Sequence, residues 1–247
     1  MNLIFLRLTS AVRITGILFS IALSAVLSIP SAIIDRSGYF GHLFAKMGGR
    51  LILFFAGVKV TCKGIENIDK SRTQVFAANH LSNLDVPLLY SIIPVQVGWL
   101  ARKRLFKLPF LGWLMRANKF IPVEEGEGRK VIESLNSAVK KVRGGTRIVI
   151  FPEGTRSMDG ELQPFKKLLF RLCLKTGVPI VPIYIKGTND AMKRGSLLIN
   201  PCKVYARIGK EIDTVKYQPN KAADLMDELR NRILKLREEL HKEEAGK

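Results

Sequence analysis

The chain has few of the side chains that build disulfide frameworks and metal sites. Among its 247 residues, only three are cysteines and three are histidines. The cysteines lie far apart, are odd in number and form no C-x-x-C pair: Cys62, Cys173 and Cys202. This usage is typical of reduced, structural thiols in a cytoplasmic setting. It argues against both a disulfide frame and a zinc site.

Acidic side chains are also scarce. Aspartate and glutamate number 21 against 40 lysines and arginines, which gives a formal net charge of +19. Self-repulsion on that scale opposes compaction, so the charge indicates an anionic partner. Three partners fit: nucleic acid, an anionic membrane surface, or a phosphate-bearing substrate. The chain lacks a dense basic stripe interleaved with aromatic residues, and this absence argues against nucleic acid.

Charge is absent from one long segment near the N-terminus. Ile14–Ile34 contains no charged side chain and has about the length of a bilayer span. Leu51–Val58 is a second apolar run, too short to span alone. Basic residues before, between and after these runs favour a hairpin in the anionic, cytoplasmic leaflet of the cell membrane. We therefore predict a two-helix membrane anchor over residues 1–60. Whether it spans the bilayer is open, and a buried core hairpin is the alternative.

From residue 58 onward, short β-rich runs alternate with helical stretches. This alternation predicts an α/β domain over residues 61–247, with a central, mostly parallel or mixed β-sheet flanked by helices. The predicted strands are Val58–Cys62, Gln74–Ala78, Val97–Leu100, Lys119–Val123, Arg147–Phe151, Ile180–Ile185 and Lys203–Ile208. The predicted helices are Pro87–Ile93, Arg129–Arg143, Pro164–Thr176 and Lys221–Glu244.

One histidine, His80, lies within the predicted globular part, and Asp85 follows it five positions later. On a continuous helix five residues turn about 500°, so the two side chains would point about 140° apart. A direct contact therefore needs the chain to turn between them, and Ser82-Asn83 are turn formers. The carboxylate could then accept the imidazole N–H and leave the other ring nitrogen as a general base. A structural histidine beside a helix-capping aspartate is the alternative, and the spacing alone leaves both open.

A second segment, Phe151–Ser157, has the sequence FPEGTRS and follows a strand that reads as buried. Gly154 lets the backbone approach a ligand closely. Arg156 can contact two oxygens of a phosphate at once. A tight turn closed by a Glu153–Arg156 pair is the alternative.

Together these segments resemble the glycerolipid acyltransferase family, most closely its members that act on 1-acylglycerol-3-phosphate. The resemblance covers about residues 60 to 210. His80-x4-Asp85 is similar to the first motif, FPEGTRS to the third and GVPIVPI (Gly177–Ile183) to the fourth. Ala101–Trp113 and Phe120–Val123 resemble the second block.

The second block departs from the family pattern at two positions. Arg102 stands where a lysine is usual, which keeps the charge. Glu125 stands where an arginine is usual, so the phosphate role of that arginine is not carried over. Arg129, four residues on, is a candidate to replace it.

The resemblance implies acyl transfer from a thioester, of acyl carrier protein or of coenzyme A, to the 2-hydroxyl of lysophosphatidate. It implies His80 and Asp85 as catalytic residues, no metal and no bound cofactor. The implied substrate-binding residues are Glu153, Gly154, Thr155, Arg156, Arg102 and Lys103. The donor and the acyl chain length stay open.

Several other functions compete with this one. Another acceptor of the same family, a lyso- or glycerol-phosphate, is the nearest. A hydrolase-like set with Ser82 or Ser157 as acyl carrier lacks the G-x-S-x-G elbow that would support it. A membrane-anchored nucleic-acid binder would explain the charge. A lipid-binding protein without catalysis would leave the His80/Asp85 pair without a purpose, and an activity assay distinguishes it.

Overall fold

A computed structural model describes residues 3–108, 111–124, 128–217 and 221–246. Within them, seven strands form one sheet in the order β1-β7-β6-β2-β5-β3-β4. Neighbouring strands are parallel except β6 and β7, so the predicted mostly parallel α/β sheet is confirmed. The strands are β1 (Lys59–Lys63), β2 (Val75–Ala78), β3 (Gly98–Arg102), β4 (Ile121–Val123), β5 (Ile148–Ile150), β6 (Ile180–Lys186) and β7 (Lys203–Ile208).

The helices include all four that the sequence predicts for the domain, with ends shifted by a few residues at most. Two short helices, α4 and α7, were not predicted, because few residues and little periodicity mark them. The α-helices are α1 (Leu3–Ile34), α2 (Tyr39–Phe55), α3 (Asp85–Ile92), α4 (Leu111–Ala117), α5 (Arg129–Arg143), α6 (Lys167–Thr176), α7 (Thr188–Ala191) and α8 (Ala222–Ala245). Ile65–Asn67 and Lys103–Lys107 form 3-10 helices.

The sheet separates two hydrophobic cores. All four residues of β2 are buried, because helices cover both faces of the sheet. Phe76 and Ala78 face a core shared with α2 and α3, and partly buried residues of α1 pack against this core. Val75 and Ala77 face the other core, which α5, α6 and α8 complete. Burial on both faces explains why β2 reads as a continuous apolar run.

Close backbone packing joins α2 to its neighbours. A side chain at Gly48 would collide with Ser24 of α1, and a Cβ at Gly49 would lie 2.7 Å from the carbonyl oxygen of Pro87 in α3. Leu53 near the end of α2 is buried in the same core as Phe76. The expected second apolar helix therefore exists, but it begins at Tyr39 rather than Leu51. The hydropathy pattern does not predict the first turns of α2, because glycines and cations interrupt the apolar run there.

The outer side of α1 is apolar and exposed. Among the described residues, one helix, Ile4–Ile34, has the length and composition to cross a membrane, and 22% of its most apolar window is buried. This is weak support for membrane association. Large apolar side chains stay exposed along α1: Ile4, Phe5, Leu8, Val12, Leu18, Phe19, Ile21, Val26, Ile33 and Ile34. The division of the chain at residue 60 and the depth of insertion stay predictions.

Candidate active site

The candidate site lies at one edge of the sheet. Strands β2, β5 and β3 are parallel neighbours, so their carboxyl ends open on the same edge. The chain after β2 carries His80, the chain after β5 carries the FPEGTRS segment, and the end of β3 carries Arg102 followed by Lys103. Ligands of open α/β sheets bind at this edge of the strands. The fold therefore brings the predicted site residues to a common edge.

His80 and Asp85 are in direct contact. The distance between His80 Nδ1 and Asp85 Oδ2 is 2.7 Å. The chain leaves β2 at Ala78 and turns before α3 begins at Asp85, which is the turn that the spacing required. The same Oδ2 accepts hydrogen bonds from the backbone N–H groups of Leu81 (2.7 Å) and Ser82 (2.8 Å). The direct contact between imidazole and carboxylate, which the spacing left open, is therefore present.

One face of the His80 imidazole packs against an aromatic ring, and one of its two nitrogens has no hydrogen-bond partner among the described residues. Its ring stacks on Phe151, with centroids 3.8 Å apart and planes 10° apart. Because Asp85 is a carboxylate, Nδ1 carries the hydrogen of their bond and Nε2 keeps its lone pair. Nε2 makes no hydrogen bond to any described residue, and 17% of the side chain is exposed. His80 is therefore oriented but still accessible to a ligand.

Glu153 holds the two site loops together. One carboxylate oxygen accepts a hydrogen bond from the backbone N–H of His80 (2.7 Å) and the other accepts one from Gln163 (2.8 Å). Glu153 is only 1% exposed, and this burial raises the pKa of its carboxyl group. Both oxygens are thus engaged with backbone donors. The alternative of a turn closed by a Glu153–Arg156 pair finds no such contact among the described residues.

The next three residues of the loop after Glu153 are at least partly exposed. Gly154 has φ of 69°, a left-handed conformation that favours glycine. Thr155 is exposed and Arg156 is half-buried. Ser157 donates its backbone N–H to the carbonyl of His80 (2.8 Å), which ties the loop to the imidazole segment. The loop therefore places an arginine beside the strand edge that carries His80.

Neither candidate serine hydroxyl is hydrogen-bonded to the imidazole. Ser82 Oγ donates to the carbonyl of Met192 (2.7 Å), and Ser157 Oγ donates to Asp159 Oδ1 (2.8 Å). A serine nucleophile would need its hydroxyl within reach of the histidine that deprotonates it. The hydrolase-like alternative therefore gains no support from the geometry.

The cations of the second block lie at the exposed end of β3. Arg102 is the last residue of β3, and Lys103 Nζ lies 2.7 Å from Glu124 Oε1. This lysine lowers the pKa of the Glu124 carboxyl group. Glu125 lies outside the described residues. Arg129 is in an exposed ion pair with Glu133, with Nε and Oε1 2.7 Å apart. The phosphate roles of these cations stay predictions.

The structure adds Thr188, which sequence reasoning did not identify. Its hydroxyl donates to Asp85 Oδ1 at 2.5 Å, and both residues are fully buried. The two lie 103 positions apart, so no local spacing indicates the contact. One signal was available: Thr188 follows β6, which runs parallel to β2, so both strands end at the same sheet edge.

Two cavities have part of their walls near this edge. An apolar cavity of about 290 Å³ lies between α1, α2, α3 and α4, with Val86 and Pro87 in its wall directly after Asp85. A second cavity, of about 620 Å³, is lined by five cationic side chains and by Phe106, Phe120 and Pro122. We call it the basic cavity. The five cations are Lys103, Lys107, Arg116, Lys119 and Lys141.

The sequence profile of the Acyltransferase family matches residues 59–186, which hold the His80/Asp85 pair, the FPEGTRS loop and strand β6. The chain belongs to the Acyltransferase family.

The curated relatives of this chain carry more specific names within the family. The chain is 35% identical over 196 residues to the chloroplastic 1-acyl-sn-glycerol-3-phosphate acyltransferase BAT2 of Brassica napus, covering 78% of this chain and 55% of that one. It is 28% identical over 186 residues to the 1-acyl-sn-glycerol-3-phosphate acyltransferase of Borreliella burgdorferi, covering 75% and 74%. This chain thus spans about half the length of the chloroplast relative.

A solved structure shares the whole fold. The crystal structure of the 1-acyl-sn-glycerophosphate (LPA) acyltransferase PlsC from Thermotoga maritima superposes with a TM-score of 0.81 at 25% identity. The match covers 98% of each chain, so it includes the α1–α2 pair as well as the α/β domain. The resemblance to the acyltransferase family that the motifs indicated is confirmed.

Proposed function

We propose that this protein is a 1-acyl-sn-glycerol-3-phosphate acyltransferase. It transfers an acyl chain from a thioester to the 2-hydroxyl of lysophosphatidate and releases phosphatidate and a thiol. One observation carries the proposal: the 2.7 Å contact between His80 and Asp85 at the sheet edge that also carries Arg156. The printed names of the relatives support the choice of lysophosphatidate as the acceptor.

The imidazole is suited to activate an alcohol. A glycerol hydroxyl has a high pKa and becomes nucleophilic when a base removes its proton during attack. His80 Nε2 takes this proton as the hydroxyl oxygen bonds to the thioester carbonyl carbon. The tetrahedral intermediate then expels the thiolate, which takes the proton from the imidazolium, and His80 returns to its neutral form. Asp85 stabilises the imidazolium in between, so no protein nucleophile is needed.

An activity assay of the purified protein tests the proposal directly. The assay supplies lysophosphatidate as the acceptor and, in separate reactions, an acyl carrier protein thioester or a coenzyme A thioester as the donor. We expect phosphatidate, identified by its mass, to form with at least one donor. The same assay with glycerol 3-phosphate or another lysophospholipid as the acceptor tests the nearest alternative, a family member that acylates a different acceptor. Lipid binding without any acyl product would contradict the enzymatic assignment.

Arg156 is proposed to contact the acceptor phosphate. Arg156→Ala is expected to lower kcat/KM for lysophosphatidate by about 10- to 100-fold, since a charge-assisted hydrogen bond contributes about 1.5–3 kcal/mol. Kinetics with the acceptor and the donor varied separately provide the measurement. Arg156→Lys should restore activity only in part, because an ammonium cannot form the two parallel bonds of a guanidinium.

Arg72→Ala is the matched control. Arg72 lies in the loop before β2, at the opposite edge of the sheet, and is half exposed. The same loss of a surface guanidinium there should leave the kinetics unchanged. A defect of Arg156→Ala confined to the acyl donor would reassign this arginine.

The basic cavity is proposed to receive the phosphate groups of the donor. Acyl carrier protein and coenzyme A both carry the thioester on a phosphopantetheine arm. Lys103 lies at the end of β3 beside the site, whereas Lys119 and Thr146 lie before β4 and β5 at the opposite edge. No acidic side chain of the described residues lines the cavity. The side chains of Lys107 and Lys141 make no hydrogen bond to described residues, so both charges are available to a ligand. The basic cavity would then recognise the phosphate group of the phosphopantetheine arm, which both donors share.

Charge reversal tests this donor site. The double substitution Lys107→Glu, Lys141→Glu is expected to raise KM for the donor by about 10-fold at low ionic strength, because it replaces attraction by repulsion. The effect should shrink in added salt. Lys210→Glu, Lys235→Glu changes the net charge equally at another surface hollow and serves as the control. Equal effects of both variants would show that only the overall charge matters. Comparing coenzyme A with carrier protein thioesters then identifies the donor.

A further inference from the structure

Thr188 is the one donor to Asp85 Oδ1 among the described residues. The two oxygens of this carboxylate are used unequally: Oδ2 accepts from His80, Leu81 and Ser82, whereas Oδ1 accepts from the Thr188 hydroxyl alone. Asp85 is fully buried, so solvent does not replace a missing donor. A buried charged oxygen without a hydrogen bond is costly, and the side chain would rotate or shift to relieve it.

The backbone that carries Thr188 is fixed relative to the imidazole segment. The Asn79 side chain forms two hydrogen bonds to the backbone of Ile185 in β6, at 2.9 and 2.7 Å. Gly187 follows with φ of 93°, and a Cβ there would lie 2.6 Å from the carbonyl oxygen of Lys203. On the far side of α7, Ser82 Oγ donates to the carbonyl of Met192. Backbone contacts before and after Thr188 therefore fix the position of its hydroxyl relative to Asp85.

We infer that Thr188 is a positioning residue for the proposed acyl transfer. Its hydroxyl fixes the plane of the Asp85 carboxylate, so that Oδ2 points at His80 Nδ1 and Nε2 keeps its direction toward the acceptor hydroxyl. Thr188 touches neither substrate and acts through Asp85. The inference rests on the proposed function, because it assigns the residue a part in the same proton transfer.

Thr188→Val removes the hydroxyl and keeps the shape of the side chain. It is expected to lower kcat by about 10- to 100-fold, the range for losing a hydrogen bond to a charged group. KM for lysophosphatidate and for the donor should stay within about twofold, since no substrate contact is lost. Thr188→Ser keeps the hydroxyl and should retain most of the turnover.

Thr214→Val is the matched control. Thr214 is 2% exposed, and its hydroxyl donates to the carbonyl of Val178 at 3.0 Å, in the loop before β6 at the opposite sheet edge. This substitution also deletes a buried threonine hydroxyl bond, so it reports what such a loss does to stability alone. We expect it to lower the melting temperature while leaving kcat unchanged.

A double-mutant cycle separates positioning from general weakening of the fold. If Thr188 acts through Asp85, adding Thr188→Val to Asp85→Ala should cost no further turnover. Full additivity of the two substitutions would overturn the inference, as would normal kcat of a folded Thr188→Val. Equal losses in Thr188→Ser and Thr188→Val would also overturn it, because a variant that keeps the hydroxyl would then be as impaired as one that lacks it. If the valine variant does not fold, loss of turnover in a folded Thr188→Ser would still overturn the inference. An inactive wild-type protein would instead count against the proposed function itself.

Discussion

His80→Ala is expected to lower turnover by about 10²- to 10⁴-fold while the protein stays folded and attached to lipid. This is the range for losing a general base, and His80 carries the accessible ring nitrogen of the site. Single-turnover measurements with saturating lysophosphatidate and donor would report the chemical step. Circular dichroism would verify the fold, because removing the ring also removes its stacking on Phe151.

His241→Ala provides the comparison for His80→Ala. His241 is an exposed histidine of α8, and among the described residues it makes no hydrogen bond to His80 or Asp85. It should turn over at the normal rate. Near-normal turnover of folded His80→Ala would end the general-base assignment, whereas loss of turnover in both variants would point to a general effect of histidine removal.

Replacing Leu18 and Val26 by aspartate is expected to release the protein from membranes. These side chains are 60% and 67% exposed on α1, so the change does not disturb the core. A charge at the bilayer centre costs about 2.5–3.5 kcal/mol, so two should lower vesicle binding by at least about 100-fold. Sedimentation with vesicles that contain anionic lipid provides the measurement. Activity on bilayer substrate should fall with binding, but activity on a short-chain, water-soluble lysophosphatidate should persist.

Point substitutions on the outer side of α1 test membrane placement better than truncation does. Deleting residues 1–58 would also remove Leu53 and Ala56, which are buried in the core beneath α3. Ile132→Asp is the control, because Ile132 is 53% exposed on α5 at the other face of the sheet. It should leave vesicle binding unchanged. Full vesicle binding of the Leu18→Asp, Val26→Asp variant would transfer the anchoring role to the basic surface of the α/β domain.

Much of the fold could be predicted because its signals are local. Helix α5 occupies the predicted Arg129–Arg143, since its apolar residues recur at helical spacing and glycines flank both ends. The strands buried on both faces were recognisable as short β-rich apolar runs. The contact between His80 and Asp85 was predictable too, because one loop contains both residues and its turn formers.

The parts that escaped prediction depend on contacts distant in sequence. Helix α2 is held by glycines such as Gly48 and Gly49, whose value lies in close approach and not in hydropathy. Thr188 meets Asp85 only because β6 lies beside β2. The placement of α4 likewise follows from packing against α1, and its own seven residues carry little signal.

The glycine packing of α2 has a consequence for where the reaction would occur. Gly49 touches the backbone of Pro87, two residues after Asp85, and Gly48 faces Ser24 on α1. These close contacts connect α1 to the start of α3 through the backbone of α2. If α1 lies in the membrane as proposed, the distance between the His80 imidazole and the acyl tails of the lipids would therefore be constant. The acceptor would have to bring its free hydroxyl to that level by moving within the lipid, and lipids whose hydroxyl lies deeper would react more slowly whatever their affinity for Arg156.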